Sequence, residues 1–270
     1  MIQLPFDTGH LSLSIELKEN VNILESAAEE YEPTDTQENL VRDALKKPIG
    51  STQVRDLVQA KNNIVIITSD HTRPVPSHIT LPILINEIKS ANPNARITLL
   101  ISTGMHRPTT EEEMLKKFGQ KVLAQVTVVN HNSEKDEDMV FLGSLPSGGE
   151  LWVNKIAIEA DLLIGEGFIE PHFFAGFSGG RKSVLPGIAS RKTVLFNHNA
   201  KFIASPFART GILENNPIHH DMVWAAEQAK MAFILNVVIN AKKEIIYCVA
   251  GHPVEAHKAG CDFLKKLTAT

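Results

Sequence analysis

The sequence predicts an α/β fold built on a largely parallel sheet with helices on both faces, and three observations carry that prediction. Short β-rich apolar runs alternate with segments of helical period, which is the pattern of βαβ units. The runs are bounded by turn residues and read as strands buried on both sides. Each of the central runs ends in polar residues, and ligands of open parallel sheets settle at the carboxyl ends of strands. The class is therefore Rossmann-like.

The elements follow in order. A polar strand-like start, His10 to Leu17, leads into a Pro- and acid-rich stretch ending near Asp35. Two helical segments come next, one carrying Leu40, Val41, Ala44 and Leu45, the other Val54, Leu57 and Val58. The core repeat then begins: strand Asn63 to Thr68, helix Ser77 to Ser90, strand Arg96 to Ser102, helix Thr109 to Phe118, strand Val126 to Asn130. Ala160 to Gly165 reads as another buried strand, followed by a glycine-rich loop and a helix from about Arg191. Asn216-Pro217 starts a helix, with Asn as cap and Pro at the first helical position. Strands Phe233 to Ile239 and Ile245 to Ala250 precede a last helix, Pro253 to Leu267. Residues 1–270 are expected to form one α/β cofactor-binding domain, with a small strand and helix region over 1–60.

Composition narrows the function classes. The chain has 43% apolar residues, enough for a substantial core, and 27 Lys plus Arg against 31 Asp plus Glu. A net charge of −4 lacks the basic excess that duplex-scale phosphate binding demands, so no nucleic-acid partner is expected. No apolar stretch approaches the roughly 20 residues that span a bilayer, and no membrane partner is expected. Cys248 and Cys261 suit a reducing cytoplasm better than a disulfide scaffold and read as structural filler.

Three polar clusters follow strands. In Thr68-Ser69-Asp70-His71-Thr72-Arg73-Pro74, a carboxylate, an imidazole, hydroxyls and a guanidinium share one turn. Arg73 suits a bidentate grip on a small carboxylate or phosphate, and a helix-capping turn with an internal Asp-Arg pair is the competing reading. The second, Ser102-Thr103-Gly104-Met105-His106-Arg107-Pro108, offers His106 as a group titrating near neutral pH, or else as a solvated loop histidine. The third runs from Gly165 to Ser183. Its glycines let backbone approach a ligand, and the amides of Ser178, Gly179 and Gly180 form a candidate nest for a phosphate. Its end nearly spells a nucleotide-triphosphate loop, but Arg181 stands where that loop's second glycine belongs, which disfavours an ordinary phosphate-binding enzyme. His198, ending a short helix, is able to bind nickel, copper or zinc as the neutral imidazole. His219-His220 reads as packing or surface, and His10, His78, His131, His252 and His257 receive no role.

Taken jointly, Ser69-Asp70-His71-Thr72-Arg73-Pro74, Gly104-Met105-His106-Arg107, Pro171 through Lys182 and Asn197-His198 resemble the nickel-dependent lactate racemase family. Four motifs stand in the right order across nearly the whole chain. The resemblance implies an isomerase that inverts a small 2-hydroxy acid, lactate first, through its keto acid. It also implies a nickel pincer nucleotide, a pyridinium-3,5-bisthiocarboxylic acid mononucleotide holding Ni(II) through S, C and S, joined to a lysine as a thioamide. By motif position that lysine is Lys182. His198 matches the protein ligand to nickel, and His106 and His172 match the acid/base pair. Asp70, His71, Thr72 and Arg73 match the segment that contacts the cofactor, with Asp70 suited to ribose hydroxyls and Arg73 to the substrate carboxylate. The partners implied are the hydroxy acid and the enzymes that make the cofactor. Protein produced without those enzymes is expected to carry Lys182 free.

One departure accompanies the match. Family members are generally longer, with a second domain that closes over the substrate, and nothing here matches it. The expectation is a chain that folds but racemises poorly alone. A module that only carries the nickel nucleotide is the alternative from another class.

Overall fold

The computed structural model describes residues 2–6, 9–13 and 31–268. Its centre is a six-stranded sheet of β3 (Asn63–Ser69), β4 (Arg96–Ser102), β5 (Thr127–Asn130), β8 (Leu162–Phe168), β11 (Met231–Ile239) and β12 (Ile245–Gly251), in the order β12-β11-β8-β3-β4-β5. All neighbours pair in parallel except β11 with β12, an antiparallel hairpin that ends one edge. The predicted class is the observed one.

Alternation along the strands builds two cores. In β3, Ile64 and Ile66 face one side and Val65 and Ile67 the other, all fully buried. The first side is covered by helices Gln37–Lys46 and Ser77–Ala91, through Val41, Leu45, Leu81, Leu84, Ile85 and Ile88. The second is covered by helices Pro217–Gln228 and Glu255–Thr268 and by the buried segment Val184 to Ala189. The Pro217–Gln228 helix starts where the sequence says, with the Asn216 side chain accepting from the Ile218 and His219 amides.

Four expectations change. Gly9–Leu13 is a strand, paired antiparallel with Ile2–Phe6, whereas 14–17 and most of the acidic stretch lie outside the described residues. β8 runs on to Phe168, so Glu166-Gly167-Phe168, expected in the loop after Gly165, is strand. Packing along it is close: a Cβ on Gly165 would lie 3.1 Å from Met231 Sδ. An antiparallel hairpin, β6 (Met139–Ser144) with β7 (Glu150–Asn154), was not anticipated. Finally, Glu166 is buried within β8 and accepts from the hydroxyls of Thr68 (2.7 Å), Ser77 (3.0 Å) and Thr80 (2.6 Å). That carboxyl group bolts the start of helix Ser77–Ala91 to the middle of the sheet.

The chain winds β3-β4-β5 in one direction, then returns to place β8, β11 and β12 on the other side of β3. The strand order reverses between β3 and β8, and an open α/β sheet binds ligands at that point, beyond the strand carboxyl ends.

Candidate functional site

A cavity of about 310 Å³ opens at this reversal. Asp70 and Arg73 reach it from the turn after β3, His106 from the turn after β4, and His172, Ser178, Gly179 and Lys182 from the segment after β8. His198 arrives from the far end of helix Arg191–Asn197. Residues separated by more than 100 positions thus share one wall. Phe173 and Phe174 also line it, and the sequence offered no periodicity that would assign them there.

Asp70 is almost fully buried, and both its oxygens are engaged. Oδ1 accepts from the Thr72 amide (3.0 Å) and hydroxyl (2.6 Å), and Oδ2 lies 2.6 Å from His106 Nδ1. The reading of Asp70 as a ribose contact therefore meets a carboxylate already committed within the protein. His71 and Thr72 do not line the cavity. His71 turns toward Thr109 (Nδ1 to Oγ1, 3.3 Å), in a neighbouring cleft with Lys116 and Lys117.

His172 sits in the short strand Pro171–His172 (β9), paired with Gly176–Phe177 (β10). Its Nδ1 accepts from the Ala175 amide at 3.2 Å, with the Phe174 amide at 3.5 Å. The ring stacks on Phe173 at 4.9 Å between centroids and meets Phe174 edge-on at 4.6 Å. Burial, then the positive charge of Lys182, pushes its pKa down to about 3. Burial alone carries most of this, since an apolar aromatic wall solvates an imidazolium poorly.

Lys182 lies in the tight turn Gly180–Ser183, its Nζ 5.8 Å from the Phe174 ring centre. Burial, with Arg181 and Arg73 adding to it, lowers its pKa to about 7. The amine is thus largely neutral and nucleophilic at physiological pH, which is unusual for a lysine. His198 packs edge-on against Phe174 at 5.0 Å, and its Nδ1 is buried with no hydrogen-bond partner. Its pKa is pushed down to about 4, first by burial and then by Lys182, so the ring is neutral and a lone pair is unused.

The nest expected at Ser178 to Gly180 is filled from within. The Ser178 amide donates to the Glu170 carbonyl (2.9 Å) and the Gly180 amide to Asn236 Oδ1 (2.7 Å). Gly179 and Gly180 both have positive φ, and a Cβ on Gly180 would strike His257 at 2.8 Å, so the glycines serve packing here. Arg181 explains why the segment is compact. It is buried, and its guanidinium donates to the carbonyls of Ala175 (2.8 Å), Ser178 (3.4 Å) and Gly179 (3.3 Å) and to His219 Nδ1 (3.0 Å), while His257 Nε2 lies 2.8 Å from both Arg181 Nη1 and the Ser178 carbonyl. Burial lowers its pKa to about 10. His219 is accordingly a packing residue, one of the two readings the sequence left open. Cys248 and Cys261 are free and buried.

A cavity with two imidazoles on opposite hydrogen-bond schemes, a neutral lysine and an orphaned histidine nitrogen invites comparison with known proteins. A family model described as the lactate racemase N-terminal domain matches residues 6–211. Lactate racemases of Thermoanaerobacterium thermosaccharolyticum and Lactiplantibacillus plantarum are each 52% identical, over 98% and 99% of this chain. The chain spans 62% and 63% of their lengths. The lactate racemase apoprotein structure from T. thermosaccharolyticum superposes with a TM-score of 0.90 at 51% identity, covering 98% of this chain and 62% of that one. A Thermotoga maritima protein gives a TM-score of 0.70 at 25% identity over 88% of this chain and 60% of its own. With a match over most of its length at that identity, the chain belongs to the lactate racemase N-terminal domain family.

Proposed function

We propose that this chain is the cofactor-bearing part of a racemase of small 2-hydroxy acids, lactate first, and that the cofactor is a nickel pincer nucleotide joined to Lys182. The observation that carries the proposal is the meeting of His106, His172, Lys182 and His198 on one cavity. The donor set fits the cofactor in two respects. Among the described residues no group of three or more His, Cys, Asp or Glu side chains could hold a metal, so a nickel ion here needs ligands from outside the protein. His198 offers one buried nitrogen without a partner, as a single protein ligand would. Lys182, with its lowered pKa, offers the neutral amine that acylation requires.

When bound, the pincer nucleotide supplies a hydride acceptor beside the substrate carbon. The protein does the rest. Arg73, on the cavity wall, grips the substrate carboxylate. His106 and His172 take or return the hydroxyl proton, one for each position the hydroxyl occupies in the two enantiomers. Phe174, buried on the cavity wall, excludes water from that side of the site. Two buried free thiols and the absence of any described helix long and apolar enough to cross a membrane fit our placement of the protein in the cytoplasm, with the cofactor-making enzymes as partners.

The test is intact mass and peptide mapping of the full-length protein co-produced with nickel and the cofactor-making enzymes, followed by a chiral lactate assay. A mass increase confined to Lys182, with racemisation that His106→Ala reduces by roughly 100-fold or more, is expected. An unmodified Lys182 under conditions that load a full-length relative overturns the proposal. Loading without turnover favours the carrier module instead.

A further inference from the structure

The two imidazoles on the cavity differ in what Nδ1 faces, and this difference has chemical consequences if the racemase reading, on which the following rests, is right. His106 Nδ1 faces Asp70 Oδ2 at 2.6 Å. A carboxylate oxygen only accepts, so the ring proton belongs on Nδ1 and Nε2 is left bare. His172 Nδ1 faces a backbone amide, Ala175 N at 3.2 Å. An amide only donates, so Nδ1 is bare and the ring proton belongs on Nε2.

We propose that Asp70 and the Ala175 amide fix His106 and His172 in opposite tautomers, so that the resting site presents one bare nitrogen and one N–H to a bound hydroxy acid. Asp70 is a positioning residue for this purpose, and its burial and the Thr72 clamp on Oδ1 leave Oδ2 no other use. In the first half of the reaction the substrate O–H bond breaks and an N–H bond forms at His106 Nε2; the pincer nucleotide, which Lys182 and His198 would hold, would supply the hydride acceptor. His172 Nε2–H meanwhile donates a hydrogen bond to the substrate. A substrate whose hydroxyl lies at His172 finds no bare nitrogen until that ring exchanges its tautomer and gives up the Ala175 amide. The two enantiomers therefore enter by unequal routes although the overall reaction joins them.

The tautomers are readable without cofactor or turnover. Protein with ring-15N histidine is recorded by long-range 1H–15N correlation at neutral pH, with signals assigned through His106→Gln and His172→Gln. The expected spectrum shows His106 protonated at Nδ1 and His172 at Nε2. In Asp70→Asn the Thr72 donors retain Oδ1, which turns the new amide NH2 toward the ring. His106 should then invert to the Nε2–H form while His172 stays unchanged, and kcat/KM of the loaded full-length enzyme should fall by about 10²- to 10⁴-fold. The same tautomer on both rings in the unsubstituted protein, or an unmoved His106 in a folded Asp70→Asn, overturns the assignment. The unsubstituted spectrum decides the matter even if the variant misfolds. Correct tautomers in a loaded enzyme that racemises no hydroxy acid would remove the racemase reading and leave the ring assignments standing.

Discussion

Lys182 shows how far a single residue was legible. Its proposed role as the attachment point rests on its place in a motif, but its lowered pKa comes from surroundings that no spacing reveals: burial in the turn, and the charges of Arg181 and Arg73. With its pKa lowered to about 7 against an ordinary 10.4, it loses its proton far earlier than a solvated lysine as pH rises. Brief acylation of the cofactor-free protein, mapped by peptide mass, should therefore modify Lys182 with a midpoint near pH 7, while the reactivity of solvated lysines rises only at much higher pH. A Lys182 that acylates in step with the surface would refute the shift. His198 carries a parallel expectation. Its unpartnered nitrogen should make it the residue whose removal weakens nickel retention, so His198→Ala in loaded protein should lower metal content by roughly tenfold or more while leaving the Lys182 adduct in place. Asp70 was legible as a carboxylate at a strand end and, through the resemblance, as a cofactor contact suited to ribose hydroxyls, but not as the partner of His106. Its commitment to His106 depends on a contact across 36 positions, which local sequence cannot display.

The parallel strands were readable because burial on both faces leaves an uninterrupted apolar run, as in Asn63–Ser69, and their boundaries fell within a few residues of expectation. Failure came where tertiary packing overrode local preference. Glu166-Gly167 has the composition of a loop, yet it forms strand because Glu166 finds three hydroxyl donors, one at the end of β3 and two at the start of helix Ser77–Ala91. That arrangement makes Glu166 the joint between β8, β3 and helix Ser77–Ala91. Removing it strands Thr68, Ser77 and Thr80 in a dry interior, and each unsatisfied buried hydroxyl costs about 1 kcal/mol or more. Glu166→Ala should lower unfolding stability by about 3 kcal/mol in urea denaturation, and Glu166→Gln by less, because the amide oxygen still accepts. Equal stability in Glu166→Ala would mean the hydroxyls find other acceptors.

At the scale of the molecule, the reversal of strand order at β3 gathers the site, and the same packing that shields it leaves His131 and His257 buried and His198 and His219 half-buried. His131 accepts from Asn154 and has its pKa lowered to about 4. His219 accepts from Arg181 and is lowered to about 3, and His257, whose Nε2 meets both Arg181 and the Ser178 carbonyl, is held well below the ordinary range. His198 is lowered to about 4. Burial is the first cause in all four. In the unfolded chain these rings bind a proton near pH 6.5, whereas in the folded chain they do not until far lower. The unfolded state thus holds more protons between about pH 6.5 and 4, and stability must fall as pH drops through that window. At pH 5.5 each ring withdraws on the order of 1 kcal/mol, so the four together withdraw a few kcal/mol against a total of about 5–15 kcal/mol for an ordinary domain. Carboxylates held low by ion pairs, such as Glu113 at about 2 beside Arg107, act below this range because their unfolded counterparts protonate only near pH 4.5. A urea midpoint followed from pH 7.5 to 5 should therefore decline steeply over the upper part of the acid range. His131→Asn should reduce the slope by one ring's share, and a flat profile in the unsubstituted protein would mean that the rings reach water and that the interior described around Arg181 is open.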